Sequence, residues 1–271
     1  MQPTKLDNYV NKILPLIKNE LYDLRIELMK YYGNVSHTNK SDGTALTKLD
    51  ELVEKRLSNL IQGVDPNVGI YGEEFGVNGN KDTFWTLDPI DGTESFIRGL
   101  PFCSNMLCLL NGDDLIASVI YSFVQDEMYV AVKGRGATCN GKPIKVSSID
   151  INRSGIQFET PVSLNDNAHK LFFGLPRYSI YNFGKCAGYR YTLVAKGVLE
   201  GVVIYQGAGF LYDYAPGALL IKEAGGIVAN IGSKDYNYKN GNFIASNKQT
   251  HQPMQDYFVA QNATEPRWLD V

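Results

Sequence analysis

The chain reads as a mixed α and β protein in which helices cover sheets. Three observations carry that expectation: apolar residues at helical spacing fill the first sixty or so positions, strand-like segments joined by Asn-Gly turns fill the middle, and helical and strand-like segments alternate to the end. With 271 residues, 44% of them hydrophobic and 20% charged, the chain is long enough for a substantial core and ordinary in composition for a globular protein.

The elements follow in order. Leu6, Val10, Ile13, Ile17, Leu21, Leu24 and Leu28 recur every three or four residues, the stripe of an amphipathic helix over 4–31. A polar stretch over 33–42 leads to a second helix over 47–61, which Thr47 and Asp50 would cap, with the acid near the positive end of the helix dipole. Residues 69–74 form a short strand entering an acidic loop at Glu73-Glu74. Segments 105–110, 115–123 and 127–132 read as an antiparallel meander, with Asn111-Gly112 and Asn140-Gly141 as its turns. Then come strand 155–160, helix 189–196, strand 198–205, helix 214–224, strands 227–231 and 243–245, and a last helix over 252–261. Pro216 is tolerable in a first helical turn, where its missing N–H has no partner, and Gly225-Gly226 supplies a helix stop. The change of pattern predicts a boundary near residue 150, between an N-terminal half (1–150) built on the antiparallel sheet and a C-terminal half (151–271) that completes the site. No repeat or low-complexity linker separates them, so they are expected to pack as one body.

Bulk properties exclude several functions. A net charge of −3 gives no electrostatic reason to bind nucleic acid or an anionic membrane. No apolar run approaches the ~20 residues of a bilayer span, and the N-terminal residues carry no signal-peptide pattern. Cys103, Cys108, Cys139 and Cys186 lack C-x-x-C spacing and read as free thiols of a reducing cytoplasm.

The most informative stretch is Trp85-Thr-Leu-Asp88-Pro89-Ile90-Asp91-Gly92-Thr93. An apolar strand ends in two carboxylates three residues apart, and Pro and Gly turn the chain where the charges sit. Carboxylates that close repel by several kcal/mol at a protein-like dielectric. A proton or a cation must intervene, and a hard divalent metal is the natural one. Gly92-Thr93 could then open a helix whose free N–H groups face a phosphate. Glu73, Glu74 and Asp213 are further acids at the ends of apolar segments. Each also has a plain reading: Glu73-Glu74 as a solvated loop, Asp91-Gly92 as a hairpin turn, Asp213 as a helix cap and Thr47/Asp50 as a capping box. Neither a His-built metal site nor a calcium loop is indicated, since the three His lie away from these motifs and no Asp-x-Asp-x-Asp-Gly occurs.

The joint occurrence and order of these segments resembles the inositol monophosphatase family. The resemblance rests on Gly72-Glu73-Glu74, on Trp85 to Phe96 with Gly99-Leu-Pro101, on Asp213-Tyr-Ala-Pro-Gly217 running to Glu223-Ala-Gly-Gly226, and more weakly on Thr47-Lys-Leu-Asp50 within 40–54; it spans roughly residues 6–262. It implies a layered α-β-α-β-α sandwich of the inositol monophosphatase and fructose-1,6-bisphosphatase type, usually a lithium-sensitive homodimer. It further implies Mg2+-dependent hydrolysis of a small phosphate monoester by a metal-activated water, with two or three ions per site. Glu73, Asp88, the Ile90 carbonyl and Asp91 would hold a first ion, Asp88, Asp91 and Asp213 a second, and Glu73 a weaker third. Thr93 with Asp50 behind it would activate the water, Glu73 assisting, and the N–H groups of Gly92 and Thr93 would cradle phosphate.

Departures from the family pattern bear on substrate. Gln206 stands seven residues before Asp213, where members acting on inositol phosphate usually carry a Glu that binds a substrate hydroxyl. Ala187-Gly188-Tyr189-Arg190-Tyr191 replaces a run of small residues, Tyr212 the usual Trp and Ser95 the usual Asn. Substrate contacts are therefore expected at Gln206 and Arg190 beside Asp91 and Asp213, with Arg190 meeting either a second anionic group or an acidic partner. Tyr189 and Tyr191 serve equally well as core residues of a helix. Inositol 1-phosphate or a related polyol or sugar phosphate is the expected substrate. Histidinol phosphate and a nucleoside 3′,5′-bisphosphate are alternatives, and a catalytically silent regulatory homologue is the rival from another class.

Overall fold

The computed structural model describes residues 4–40, 45–160, 166–182, 184 and 186–269. In chain order the described elements begin with α1 (Lys5–Tyr31), the small hairpin β1 (Thr38–Asn39) and β2 (Ala45–Leu46), α2 (Lys48–Val64), β3 (Gly69–Gly72), β4 (Gly76–Asn78), β5 (Thr83–Asp91) and α3 (Thr93–Arg98). The meander follows as β6 (Ser104–Asn111), β7 (Asp114–Ser122), β8 (Glu127–Val132), β9 (Gly136–Cys139) and β10 (Lys142–Pro143). The remainder is β11 (Gly155–Glu159), α4 (Asp166–Gly174), β12 (Ser179–Tyr181), α5 (Ala187–Ala195), β13 (Gly201–Ile204), α6 (Leu211–Glu223), β14 (Ile227–Asn230), β15 (Phe243–Ser246) and α7 (Lys248–Ala260).

Two sheets organise the molecule. The first has eight strands in the order β10-β9-β8-β7-β6-β5-β3-β4, antiparallel except for the β3–β5 pair. The second has five, β12-β11-β13-β15-β14, parallel across its first three and antiparallel beyond. Side-chain alternation assigns each face a layer. On one face of the first sheet Trp85, Leu87, Leu107 and Leu109 pack with the apolar stripes of α1 and α2; on the other Phe84, Met106, Cys108 and Leu110 pack with α5 and α6. The same α5/α6 layer meets Val202, Ile204, Phe243 and Ala245 of the second sheet, whose far face puts Ile156, Phe158, Val203 and Ile244 against α4 and α7. The layers therefore run helix, sheet, helix, sheet, helix, the sandwich the resemblance implies.

Helix positions match the periodicity of α1 and α2 closely. α6 differs: it begins at Leu211, three residues before the expected start, because Asp213 caps it from the third helical position, its Oδ2 accepting the Phe210 N–H at 2.6 Å. Pro216 consequently lies in the second turn, not the first. Its carbonyl accepts the Ser118 hydroxyl at 2.8 Å, tying the helix to β7. The Gly225-Gly226 stop is a Schellman arrangement, with Gly226 N–H donating to Ile221 O and Gly225 N–H to Lys222 O. The first sheet ends at Pro143 and the second begins with Gly155, yet α5 and α6 pack on both.

Candidate active site

Asp88 and Asp91 occupy the end of β5. On a regular strand, residues three apart point to opposite faces. Here the β5–β6 register slips: Asp88 pairs with Met106 and Asp91 with Ser104, so three steps on β5 match two on β6. This one-residue bulge restores parity and turns both carboxylates toward the α5/α6 layer. Pro89 and Ile90 form the bulge, and the buried Asn105 amide takes up the Pro89 carbonyl at 2.5 Å. Asp213, on the first turn of α6, completes a triad in which one oxygen of each acid lies within 4.8 Å of the others.

The two strand acids have very different surroundings. Asp91 accepts the N–H of Gly188 at 2.7 Å, that of Ala187 at 2.8 Å, the Ser104 hydroxyl at 3.0 Å and the Cys186 thiol at 3.1 Å. Gly188 permits this approach, since a Cβ there would stand 2.2 Å from Ser104 Oγ and 3.1 Å from Asp91 Oδ2. Asp88 is as deeply buried, but its Oδ1 has no hydrogen-bond partner among the described residues. Burial drives the Asp88 carboxyl well above its ordinary pKa, and Glu73, Asp91 and Asp213 push the same way. Asp213 is likewise raised, by desolvation first and then by neighbouring carboxylates. Asp91 is raised by burial against the opposing hydrogen bonds from α5 and the field of Arg190.

Glu73 lies beyond the close triad, near enough to Asp88 for a carboxyl-to-carboxyl hydrogen bond. Its Oε1 is bound by Lys40 Nζ at 2.7 Å, and the same ammonium reaches Glu74 at 2.8 Å. Burial opposes the charge on Lys40, but the two carboxylates hold its pKa above normal. Burial pushes Glu74 up to about 7 even against the lysine. The acidic loop is held from below by Glu54, a buried residue of α2 whose carboxylate accepts the N–H of Glu74 at 2.8 Å and of Phe75 at 2.9 Å. Among these groups Lys40, Glu54, Ser104 and Cys186 are marked as site residues by no motif of the sequence. Glu54 did leave a signal: with Asp50 it is an acid on the apolar stripe of α2, beside Val53 and Leu57.

Asp50 serves two structures at once. Its Oδ2 accepts the Thr47 N–H at 2.8 Å and the Thr47 hydroxyl at 2.6 Å, closing the box that caps α2. Its Oδ1 lies 3.1 Å from Thr93 Oγ1, which is also 2.9 Å from the Ile90 carbonyl. Burial raises Asp50 to about 6 despite the Thr47 bonds. Gly92 makes the turn between Asp91 and Thr93 in the left-handed region at φ 82°, where a Cβ would collide with Phe102 O at 2.5 Å.

The substrate-side residues divide. Gln206 is half-buried at φ 53°, its N–H held by Asn242 Oδ1 at 2.7 Å. Arg190 is only 3% exposed and is turned into the core, paired with Glu159 at the end of β11, so the acidic partner and not a second anion is what it meets. Tyr191 is a core residue, its ring against Gly217 of α6. Tyr189 is half-buried beside Phe102, ring centroids 5.0 Å apart. Tyr212 stacks on Phe210 and packs edge-on against Tyr71.

Comparison with known proteins agrees with this architecture. The family model described as the inositol monophosphatase family matches residues 17–262. Inositol monophosphatase 1 of Mus musculus is 32% identical over 224 residues, 78% of this chain and 79% of its own length. A protein of Aquifex aeolicus named fructose-1,6-bisphosphatase/inositol-1-monophosphatase is 27% identical over 234 residues, 83% of this chain and 86% of that protein. Among solved structures, the Thermotoga maritima IMPase matches with a TM-score of 0.82 at 26% identity, over 93% of this chain and 98% of that one. An IMPase/NADP phosphatase complexed with Mg2+ and phosphate shares the fold at a TM-score of 0.79 and 20% identity, over 93% and 96%. The layered fold and these relatives define a phosphatase, a hydrolase of phosphoric monoesters acting on small phosphorylated substrates. The chain belongs to the inositol monophosphatase family.

Proposed function

We infer that the protein hydrolyses the phosphate monoester of a small polyol or sugar, inositol 1-phosphate or a close relative, with Mg2+ as its metal. One observation carries the reading: three carboxylates converge within 4.8 Å while a buried oxygen of Asp88 has no partner among the described residues. Acids so placed fit a hard divalent cation, which takes carboxylate oxygens and relieves their repulsion. Asp88, Asp91 and Asp213, with Glu73 and the Ile90 carbonyl at the rim, would hold two or three such ions. When bound, Mg2+ polarises the phosphoryl group and makes water a better nucleophile.

The chain's own groups do the rest. The Thr93 hydroxyl orients the attacking water and passes a proton toward Asp50, which at a pKa of about 6 is ionised at neutral pH. Glu73 assists as a further carboxylate beside Asp88. The N–H groups of Gly92 and Thr93 meet the phosphate oxygens as negative charge shifts onto them. Gln206 offers a neutral hydrogen bond to a hydroxyl of the leaving alcohol, and Asp91 and Asp213 border it. Lithium sensitivity, a homodimer and a cytoplasmic location complete the reading; four free thiols support the last.

A second reading has one observation in its favour. Phe210 is 44% exposed and stacked on Tyr212, which lies in the field of Asp213, Glu73 and Asp88, so a flat aromatic surface adjoins the acids. A planar ring would stack there, as histidinol phosphate or a nucleoside 3′,5′-bisphosphate could supply. Phosphate release measured with Mg2+ over inositol 1-phosphate, fructose bisphosphate, histidinol phosphate and adenosine 3′,5′-bisphosphate decides. The highest kcat/KM is expected for inositol 1-phosphate; preference for a ring-bearing substrate would select the second reading, and no release from any would favour the silent homologue.

A further inference from the structure

The buried Arg190–Glu159 pair has neighbours that make it more than a core ion pair. Arg190 belongs to α5, whose first two N–H groups hold Asp91. Its guanidinium meets Glu159 Oε2 and lies 5.2 Å from the Tyr191 ring centroid, and its Nε has no partner among the described residues. The other Glu159 oxygen, Oε1, accepts the Tyr214 hydroxyl at 3.0 Å. Tyr214 is the residue after Asp213 on α6, and its hydroxyl oxygen in turn accepts the Gly209 N–H at 2.8 Å. The next residue, Phe210, gives its N–H to Asp213. The loop lies tight on this network: a Cβ on Gly207 would stand 2.5 Å from Glu159 Oε1 and 2.6 Å from Tyr214 Oη.

An ion pair and a hydrogen bond that share Glu159 thus join the helix that grips Asp91 to the helix that carries Asp213. We propose that Glu159, with Arg190 and Tyr214, is a positioning strut that sets the spacing of Asp91 and Asp213 and so tunes cation binding between them. The proposal rests on the reading of those two acids as metal ligands. A carboxylate suits the task because it can accept from both sides at once, from a fork-shaped guanidinium and from a phenol. Groups that orient metal ligands from behind are worth on the order of 10- to 100-fold in affinity.

Mn2+ titrated calorimetrically into metal-free wild type, Tyr214→Phe and Glu159→Gln tests it, with melting temperatures taken alongside. Tyr214→Phe keeps the ring on Phe243 and removes only the hydroxyl; Glu159→Gln keeps an acceptor for Tyr214 and removes the charge facing Arg190. Tyr214→Phe is expected to weaken Mn2+ binding on the order of 10-fold, with kcat recovered at high Mg2+. Glu159→Gln should shift affinity in the same direction. If Glu159→Gln does not fold, because it leaves Arg190 an unpaired buried cation, Tyr214→Phe decides alone. Unchanged Mn2+ affinity in Tyr214→Phe, whatever its melting temperature, would reduce the strut to a packing feature and overturn the proposal. Wild type that binds no Mn2+ would instead remove the metal-ligand reading beneath it.

Discussion

Asp88 and Asp91 sit three residues apart on one strand, both buried, yet their environments are opposite. Asp91 is clasped by the start of α5, Ser104 and Cys186; Asp88 lies in the field of three other acids and leaves an oxygen unpaired among the described residues. The contrast separates an anchored carboxylate, whose hydrogen bonds oppose the cost of its burial, from one that has little to oppose it. Burying unpaired charge costs several kcal/mol, so the Asp88 side of the site is where stability is given up for chemistry.

Neutralising each acid in turn tests that division most severely. Both Asp88→Asn and Asp91→Asn are expected to lose roughly a thousandfold or more in kcat/KM, the several kcal/mol that a ligand to a Lewis-acid metal is worth. Their metal-free stabilities should diverge. Asp88→Asn relieves repulsion and should raise stability. Asp91→Asn turns an amide toward N–H donors and should lower it by about 1–3 kcal/mol. Phosphate release and thermal denaturation of chelated protein check both; equal shifts in the two melting temperatures would erase the distinction.

Thr93→Ala probes the far side of the same turn. It removes the hydroxyl between Asp50 and the Ile90 carbonyl but leaves the Thr47–Asp50 box intact. A kcat loss of about 10²–10⁴-fold is expected, with metal titrations unchanged and helix α2 as stable as before by circular dichroism. An unaltered kcat would take Thr93 out of the proton path.

The smallest effect lies in the pH dependence of the metal-free protein. Asp50 at about 6 and Glu74 at about 7 are raised by burial above their unfolded values of 3.8 and 4.5. The folded state therefore binds more protons than the unfolded one, and the stability these groups contribute is full below about pH 4 and lost as pH rises to 7. Metal-free melting temperature should fall by a few degrees over that window, and Mg2+ should flatten the slope by replacing protons at the neighbouring acids. A metal-free melting temperature that rises from pH 4 to 7 would contradict the assignment.

What could be read from the sequence was what repeats or clusters locally. The α1 and α2 stripes, the Asn-Gly turns and the Asp88-Pro-Ile-Asp91-Gly-Thr93 block all act within a few residues of themselves. The start of α6 was hidden because Leu211 and Tyr212 look like the end of a strand until Asp213 is seen bonding back to Phe210. The short strands β4, β9 and β12 and helix α4 have little pattern of their own and exist through neighbours. Lys40 and Glu159 acquire partners 33 and 31 residues distant along the chain, and no spacing rule announces such pairs. Arg190 looked available for an anion since its sequence neighbourhood contains no acid.

The bulge at Pro89-Ile90 makes this site a matter of counting. Side-chain direction on a strand is a two-valued quantity, and the bulge lets acids three residues apart share the direction that a two-residue spacing would give. Excising one of the pair would leave a smooth strand with both carboxylates still turned toward α5 and α6, but would take with it a main-chain carbonyl, the one that Asn105 holds at Pro89 or the one that Thr93 meets at Ile90. The extra residue therefore serves to present main-chain oxygens beside the acids without changing the side on which the acids lie.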